Sequence, residues 1–239
     1  MMTNFFYRTN FFVRISFVKL LLVWCVCICA SASVFSQKRV ALFNGKNLDG
    51  WYAFEPETGK HSNANDLFKV YHGMICLEGP KPGYIKTELE FREFELFAEF
   101  RWNPDTTLAQ KSKKRNSGLM YLMPFQSADT LWPQGIQFQI KEGATGDFIL
   151  LHELSIVVAG KETEKGRSVI SPRFIEAEKQ IGEWNAIYIR CADDSIVQKL
   201  NGILVNKASK PSVKSGRIGL MYEGSPIQFR KIKIREIRE

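Results

Sequence analysis

The sequence predicts an all-β protein, a two-sheet antiparallel jelly-roll sandwich over residues 37–239. Three observations carry that expectation. From residue 37 onward, short runs rich in Phe, Ile, Val, Leu and Tyr alternate with turns of Gly, Pro, Asn and Asp, which is the spacing of a sandwich. No long helical period interrupts them. Nothing repeats at a fixed interval, which argues against a solenoid or propeller. Many short strands with few helices must bury their apolar faces by stacking one sheet on another.

Residues 1–36 stand apart. Arg8, Arg14 and Lys19 precede an apolar run from Leu20 to Ala30, and small residues follow around Ala30-Ser31-Ala32. That is the layout of a secretory signal peptide. The apolar run is too short to span a bilayer comfortably, so no stable membrane span is expected. Leu22-Val23-Trp24 is too bulky to precede a good lipidation site at Cys25. A periplasmic or extracellular location follows as the expectation.

Within the domain, Val40 to Phe43 opens the chain, and Asn44-Gly45-Lys46-Asn47-Leu48-Asp49-Gly50 turns it into Trp51. Phe68 to Tyr71 and Met74 to Leu77 flank His72-Gly73 as a hairpin. Tyr84 to Thr87 makes a short strand and Phe94 to Trp102 a long alternating one. Asn185 to Cys191, Ile196 to Leu200 and Ile203 to Val205 form a meander, whose Asn201-Gly202 turn suits the positive φ angles of a tight hairpin. Gly216 to Met221 and Ile227 to Ile237 close the chain. Only Ser171 to Ile181 reads as a candidate short helix.

The stretch from Asn116 to Leu151 holds three strand-like runs, each begun at a Gly-containing turn, and exposes amides, a carboxylate and aromatic rings. That combination suits a sugar. Side chains on a strand alternate between faces, so parity sorts them. In Phe94 to Trp102, Glu95, Phe97, Glu99 and Arg101 share one face. In Gly135 to Lys141, Ile136, Phe138 and Ile140 point inward while Gln137, Gln139 and Lys141 point outward. The run from Leu119 to Met123 is apolar on both faces, as in a central strand. If these strands are neighbours, Glu99, Arg101, Tyr121, Gln137 and Gln139 share one concave surface.

Leu42-Phe43-Asn44-Gly45-Lys46-Asn47-Leu48-Asp49-Gly50-Trp51 resembles the opening signature of the 3-keto-disaccharide hydrolase domain family. Further matches follow in order: Phe94-Glu95-Leu96, Asn116-Ser117-Gly118, Gly135 to Ile140, Gly146-Asp147-Phe148, Trp184-Asn185, Asn201-Gly202, Gly216 to Leu220, and Phe229-Arg230-Lys231-Ile232. The resemblance implies a concanavalin A-like jelly roll and cleavage of glycosides already oxidised to a ketone at sugar carbon 3. Such a ketone acidifies the hydrogen on C2. A modest base can remove it, the group on C1 leaves by β-elimination, and water adds back. The two spaced carboxylates of an ordinary glycosidase are not required; a base, a donor for the enolate oxygen and a proton for the leaving group are.

Glu99 and His152 are the candidate bases, Glu99 by its outward parity and His152 because imidazole is the side chain suited to proton transfer near neutral pH. Arg101 suits enolate or hydroxyl binding, and Gln137 and Gln139 can both donate and accept. Many members of the family carry Glu at the position of Gln137, so a non-catalytic carbohydrate-binding module is the rival expectation. Asn116, Tyr121, Trp132 and Asp147 complete the candidate set. Asp147 and Asn116 could equally order their own turns, and Asp147 could hold a structural calcium ion. Trp51, Trp102 and Trp184 read as core.

The formal charge of +8 falls to +5 once residues 1–36 are set aside, because Lys plus Arg drops from 33 to 30 against 25 acids. The basic cluster Lys111-Ser112-Lys113-Lys114-Arg115 lacks interleaved aromatics and reads as a solvated loop, so no nucleic acid is expected as partner. There is no His-Glu-x-x-His, phosphate-binding glycine loop or Gly-x-Ser-x-Gly elbow, and only three histidines. Catalytic metals and nucleotides are therefore not expected, and the expected partner is a carbohydrate. The pairing of Cys76 with Cys191, and the oligomeric state, stay open.

Overall fold

The computed structural model describes residues 39–104 and 114–237. The leader and Lys111 to Lys113 of the basic cluster lie outside them. The strands are β1 Val40–Ala41, β2 Trp51–Glu55, β3 Gly59–His61, β4 Lys69–Tyr71, β5 Met74–Leu77, β6 Gly83–Thr87, β7 Phe94–Trp102, β8 Asn116–Met123, β9 Gly135–Lys141, β10 Phe148–Leu151, β11 Val157–Val158, β12 Lys161–Glu162, β13 Ser168–Ser171, β14 Asn185–Ala192, β15 Ser195–Leu200, β16 Ile203–Ser209, β17 Arg217–Tyr222 and β18 Ile227–Glu236. A larger sheet of ten strands runs β12-β11-β16-β15-β14-β7-β18-β5-β4, with β1 on β18. A smaller sheet of eight runs β13-β10-β9-β8-β17-β6-β2-β3. Pairing is antiparallel throughout, and the two sheets stack as a jelly-roll sandwich.

The core is what the two inner faces contribute. Leu96, Ala98, Phe100 and Trp102 of β7 meet Leu119, Tyr121, Ile136, Phe138 and Ile140 of β8 and β9 in one buried cluster. Each fully buried side chain of this kind contributes about 1.5–3 kcal/mol. The inward and outward sorting of β7 and β9 holds residue by residue. Alternation breaks where the register shifts, and two of these bulges reshape the core. Lys231 has φ 52° where the β18–β7 register shifts, so Phe229 and Ile232 both reach the core. Leu122, at φ 50°, turns inward beside Tyr121 and sends Met123 to the other face.

The Asn-Gly-rich opening segment is a turn held by its own side chains: Asn44 Oδ1 accepts from the backbone N–H of Lys46 at 2.7 Å and of Asn47 at 3.0 Å. It leads into Trp51, whose indole donates to Leu42 O at 2.7 Å. Asn201 and Gly202, at φ 53° and 83°, make the expected tight hairpin between β15 and β16.

The helix anticipated within Ser171 to Ile181 does not form. Its backbone donors find tertiary acceptors instead: Arg173 N donates to Asp147 Oδ1, Phe174 N to Val205 O and Lys179 N to Asn185 Oδ1. Glu178 anchors the segment by accepting from Trp102 Nε1 at 2.8 Å and Thr145 Oγ1 at 2.7 Å. Cys76 and Cys191 are both free. They lie on the larger sheet with Cys191 facing the core and Cys76 outside that cluster, between the core residues Ile75 and Leu77.

Candidate active site

A cleft of about 950 Å³ lies over the outward side of the smaller sheet. This is near the upper end of small-molecule pockets. Gln137 and Gln139 of β9 and Ile149 and Leu151 of β10 form its floor, and Ile170 of β13 extends it. The segment between β8 and β9 supplies one wall through Thr130, Leu131 and Trp132. His152 and Arg167 stand on the rim. Asn116, Lys141 and Glu223 close the polar end.

The polar end is a directed chain of hydrogen bonds. Gln137 Nε2 donates to Gln139 Oε1, Gln139 Nε2 donates to Asn116 Oδ1 at 3.1 Å, and Asn116 Nδ2 donates to Glu223 Oε2 at 2.6 Å. Every amide donates toward the carboxylate, so its charge orients the row. Gly118 is required for this arrangement, because a Cβ there would collide with the Gln137 side chain that lies across β8. Within Asn116-Ser117-Gly118, Asn116 thus belongs to the row, Ser117 ties β8 to Met221 O at 2.7 Å, and Gly118 makes room.

Glu223 is the carboxylate of this end. Burial pushes its carboxyl above the ordinary carboxylate range, against a hydrogen bond from the Trp132 side chain and the charge of Lys141, which pull it down. Its hydrogen-bond partner is the neutral amide of Asn116, and the neutral Trp132 indole acts on it from nearby. His152, at φ 58°, places a ring nitrogen 2.6 Å from Trp132 O. A carbonyl can only accept, so Nε2 carries a proton and Nδ1 is the ring atom left to take up or give one. Gln134 Nε2 donates to His152 O at 2.8 Å, which holds the same corner from the other side.

Asn116, Trp132, Gln137, Gln139 and His152 therefore come together. The other four sequence candidates do not. Glu99 and Arg101 lie on β7 in the larger sheet, whose outward side faces away from the cleft, which corrects the expectation of one shared concave surface. Parity assigns a face but not a sheet. Glu99 is clamped by Arg230 Nε at 2.6 Å and Lys231 Nζ at 2.9 Å. Partial burial works to raise its carboxyl, but these hydrogen bonds outweigh it and hold it below the ordinary range. Arg101 donates to Gln228 Oε1 at 2.7 Å and packs over Trp184 with Arg230, so Trp184 is a half-buried surface ring rather than core. Tyr121 points into the sandwich, fully buried, and accepts from Gln198 Nε2 at 2.7 Å. Asp147 takes the backbone N–H and guanidinium of Arg173 at 2.9 and 3.2 Å, so its carboxylate orders a loop. Among the described residues, no group of three or more His, Cys, Asp or Glu side chains could hold a metal ion.

Glu223 and Lys141 were absent from the sequence-based set. A signal for Glu223 was there: Ile218, Leu220 and Tyr222 alternate inward, so the next odd position faces outward. Tyr222 pairs with Ser117, which brings Glu223 level with Asn116.

A jelly-roll sandwich with an open cleft floored by amides and apolar side chains and walled by an exposed tryptophan presents the donors, acceptors and ring face that suit a sugar. Comparison with known proteins narrows this. The chain belongs to the 3-keto-alpha-glucoside-1,2-lyase-like domain family, whose model matches residues 38–235. Two structures from Parabacteroides distasonis, each described as a "putative glycosyl hydrolase", share the fold. One is 18% identical with TM-score 0.57, covering 84% of this chain and 94% of that one. The other is 24% identical with TM-score 0.53, covering 84% and 100%. A protein of unknown function with a galectin-like fold from Bacillus subtilis is 8% identical with TM-score 0.56, covering 84% and 96%. No curated protein matches the chain. Among the described residues, no helix is long and apolar enough to cross a membrane.

Proposed function

We propose that the protein is an exported enzyme that cleaves 3-keto-glycosides in this cleft by elimination and hydration. The carrying observation is that Glu223, whose carboxyl burial pushes up, and His152 line one cleft with hydroxyl-binding amides and the Trp132 ring. Glu223, as carboxylate, takes the proton from C2. The electron pair moves toward the C3 oxygen, where the Lys141 ammonium and the free amide N–H groups of Gln137 and Gln139 stabilise the enolate. The C1–O bond then breaks, and the departing oxygen takes a proton from His152 as imidazolium. Water adding across the resulting enone gives the free 3-keto sugar; without that step the outcome is that of a lyase. General acid–base help of this kind is worth roughly 10²- to 10⁴-fold.

Incubation with a 3-keto-glucoside bearing a chromogenic aglycone tests this reading. Aglycone release above buffer, lost in Glu223→Gln, is the expected result. One observation favours a second reading: Gln137, an amide where a carboxylate would serve as base, is already engaged with Gln139. A binding module would retain the sugar, with a shifted melting temperature and no release.

A further inference from the structure

The wall of the cleft is built on a second polar cluster. On the same outward side of the smaller sheet, Met120, Met123, Met221, Phe54 and Tyr84 form a buried apolar patch. They lack a second sheet on that side, so their cover is the segment 124–134, in which Pro133 is itself buried. Asp129 is that segment's polar anchor. Its carboxylate accepts from Tyr84 Oη at 2.5 Å and Tyr52 Oη at 3.1 Å, and lies 2.8 Å from Lys86 Nζ. Arg217 Nη1 donates to Tyr52 Oη at 3.1 Å from behind.

We infer that Asp129 is a positioning residue of the cleft: held by Lys86, Tyr52 and Tyr84, it fixes the segment that keeps Trp132 on Glu223 and His152. The inference rests on the cleft being the functional site. The Lys86 side chain is 0% exposed. A buried ammonium separated from its counter-charge is strongly unfavourable, so the segment cannot slide without stranding Lys86. Burial pulls Lys86 down, with Asp129 opposing; burial would raise Asp129, but Lys86 and the two tyrosines outweigh it and hold it low. Three residues beyond this anchor, Trp132 gives its carbonyl to His152 at 2.6 Å, and its indole acts to lower the Glu223 carboxyl. Asn116, Trp132 and Lys141 are the groups that face Glu223. Freeing Trp132 removes one of the donors that lower its proton affinity.

The test uses protein labelled with 5-fluorotryptophan, the Trp132 signal being identified by its loss in Trp132→Phe. In the native protein that signal titrates with Glu223, and Glu223→Gln abolishes the titration. In Asp129→Asn the Trp132 signal moves toward that of a solvated indole while those of Trp51 and Trp102 stay. The titration midpoint rises by about half a pH unit or more, and the acid limb of any pH–rate profile moves with it. Tyr84→Phe, which keeps the ion pair, shows a smaller shift in the same direction and decides the matter if Asp129→Asn does not fold. An unmoved Trp132 signal in either folded variant overturns the inference. A Trp132 signal that responds as expected in a protein that never cleaves a 3-keto-glycoside upholds the positioning role and sinks the proposed reaction. Cleavage with a responding Glu223 and an indifferent Asp129 does the reverse.

Discussion

Glu99 and Glu223 are both half-buried glutamates on outward sides of the sandwich, yet their surroundings are opposite. Glu99, on the larger sheet, sits between a guanidinium and an ammonium and is held as a carboxylate. Glu223, at the end of β17 over the smaller sheet, is held by an amide and an indole, and its carboxyl is pushed up. The first charge is spent on neighbours of opposite sign. The second is oriented without being neutralised, which is what proton transfer to a substrate needs. The difference shows why outward parity alone does not identify a base: the partners decide.

The contrast can be broken most sharply at Glu223. Replacing it by Gln is expected to lower turnover of a 3-keto-glycoside by about 10²- to 10⁴-fold. The same variant should melt at a higher temperature at pH 7. The folded pKa lies above the ordinary value, so the folded state binds the proton more tightly than the unfolded one. Stability is therefore lost as pH rises through the window between the two values. A calorimetric series across that window that shows no such fall would place Glu223 in an ordinary environment.

His152→Ala follows in size, with about a tenfold or larger loss of turnover, since it removes both a proton carrier and a hold on Trp132. Steady-state kinetics on a substrate with a better leaving group should recover part of the loss. Gly118→Ala comes next. The added methyl displaces Gln137 and breaks the amide row, at about 1–3 kcal/mol of stability by overpacking and with weaker sugar binding in calorimetric titration. Glu99→Gln closes the series, with unchanged turnover and a loss of about 0–1 kcal/mol, the usual worth of a surface ion pair. Because its folded pKa is depressed, that contribution is present above the unfolded value and vanishes as pH falls through the folded one. A large activity loss in Glu99→Gln would return catalysis to the larger sheet.

Local features were legible because they depend on local physics. The Asn-Gly turns, the alternation of β7 and β9, and the jelly-roll class follow from turn chemistry and period-two burial. Asn116, Gln137, Gln139, Trp132 and His152 share one cleft because β8, β9 and the segments following them meet in space as they do in sequence. Glu99 and Arg101 were misplaced because nothing local states which sheet a strand joins. Tyr121 was misread because β8 is buried on both faces, so parity had no polar side to point to. The helix within Ser171 to Ile181 lost to distant acceptors, Asp147 and Val205 among them, that no local propensity registers. Glu223, which lines the same cleft, lay outside the sequence-based set for a related reason. Its strand reaches β8 from about a hundred residues downstream, a pairing set by the sandwich as a whole.

The two free thiols among the described residues have a practical consequence. Cys191 is buried on the core side of β14, beneath a second, smaller cavity, and burial pushes its thiol far up; Cys76 is raised less, also by burial. A thiol reagent in neutral buffer meets neither as a ready nucleophile, so modification of Cys191 is slow until the sandwich opens around it. Its alkylation rate, followed by mass spectrometry, is a clock for that opening already written into the chain, and ligands of the cleft can be ranked by how far they slow it.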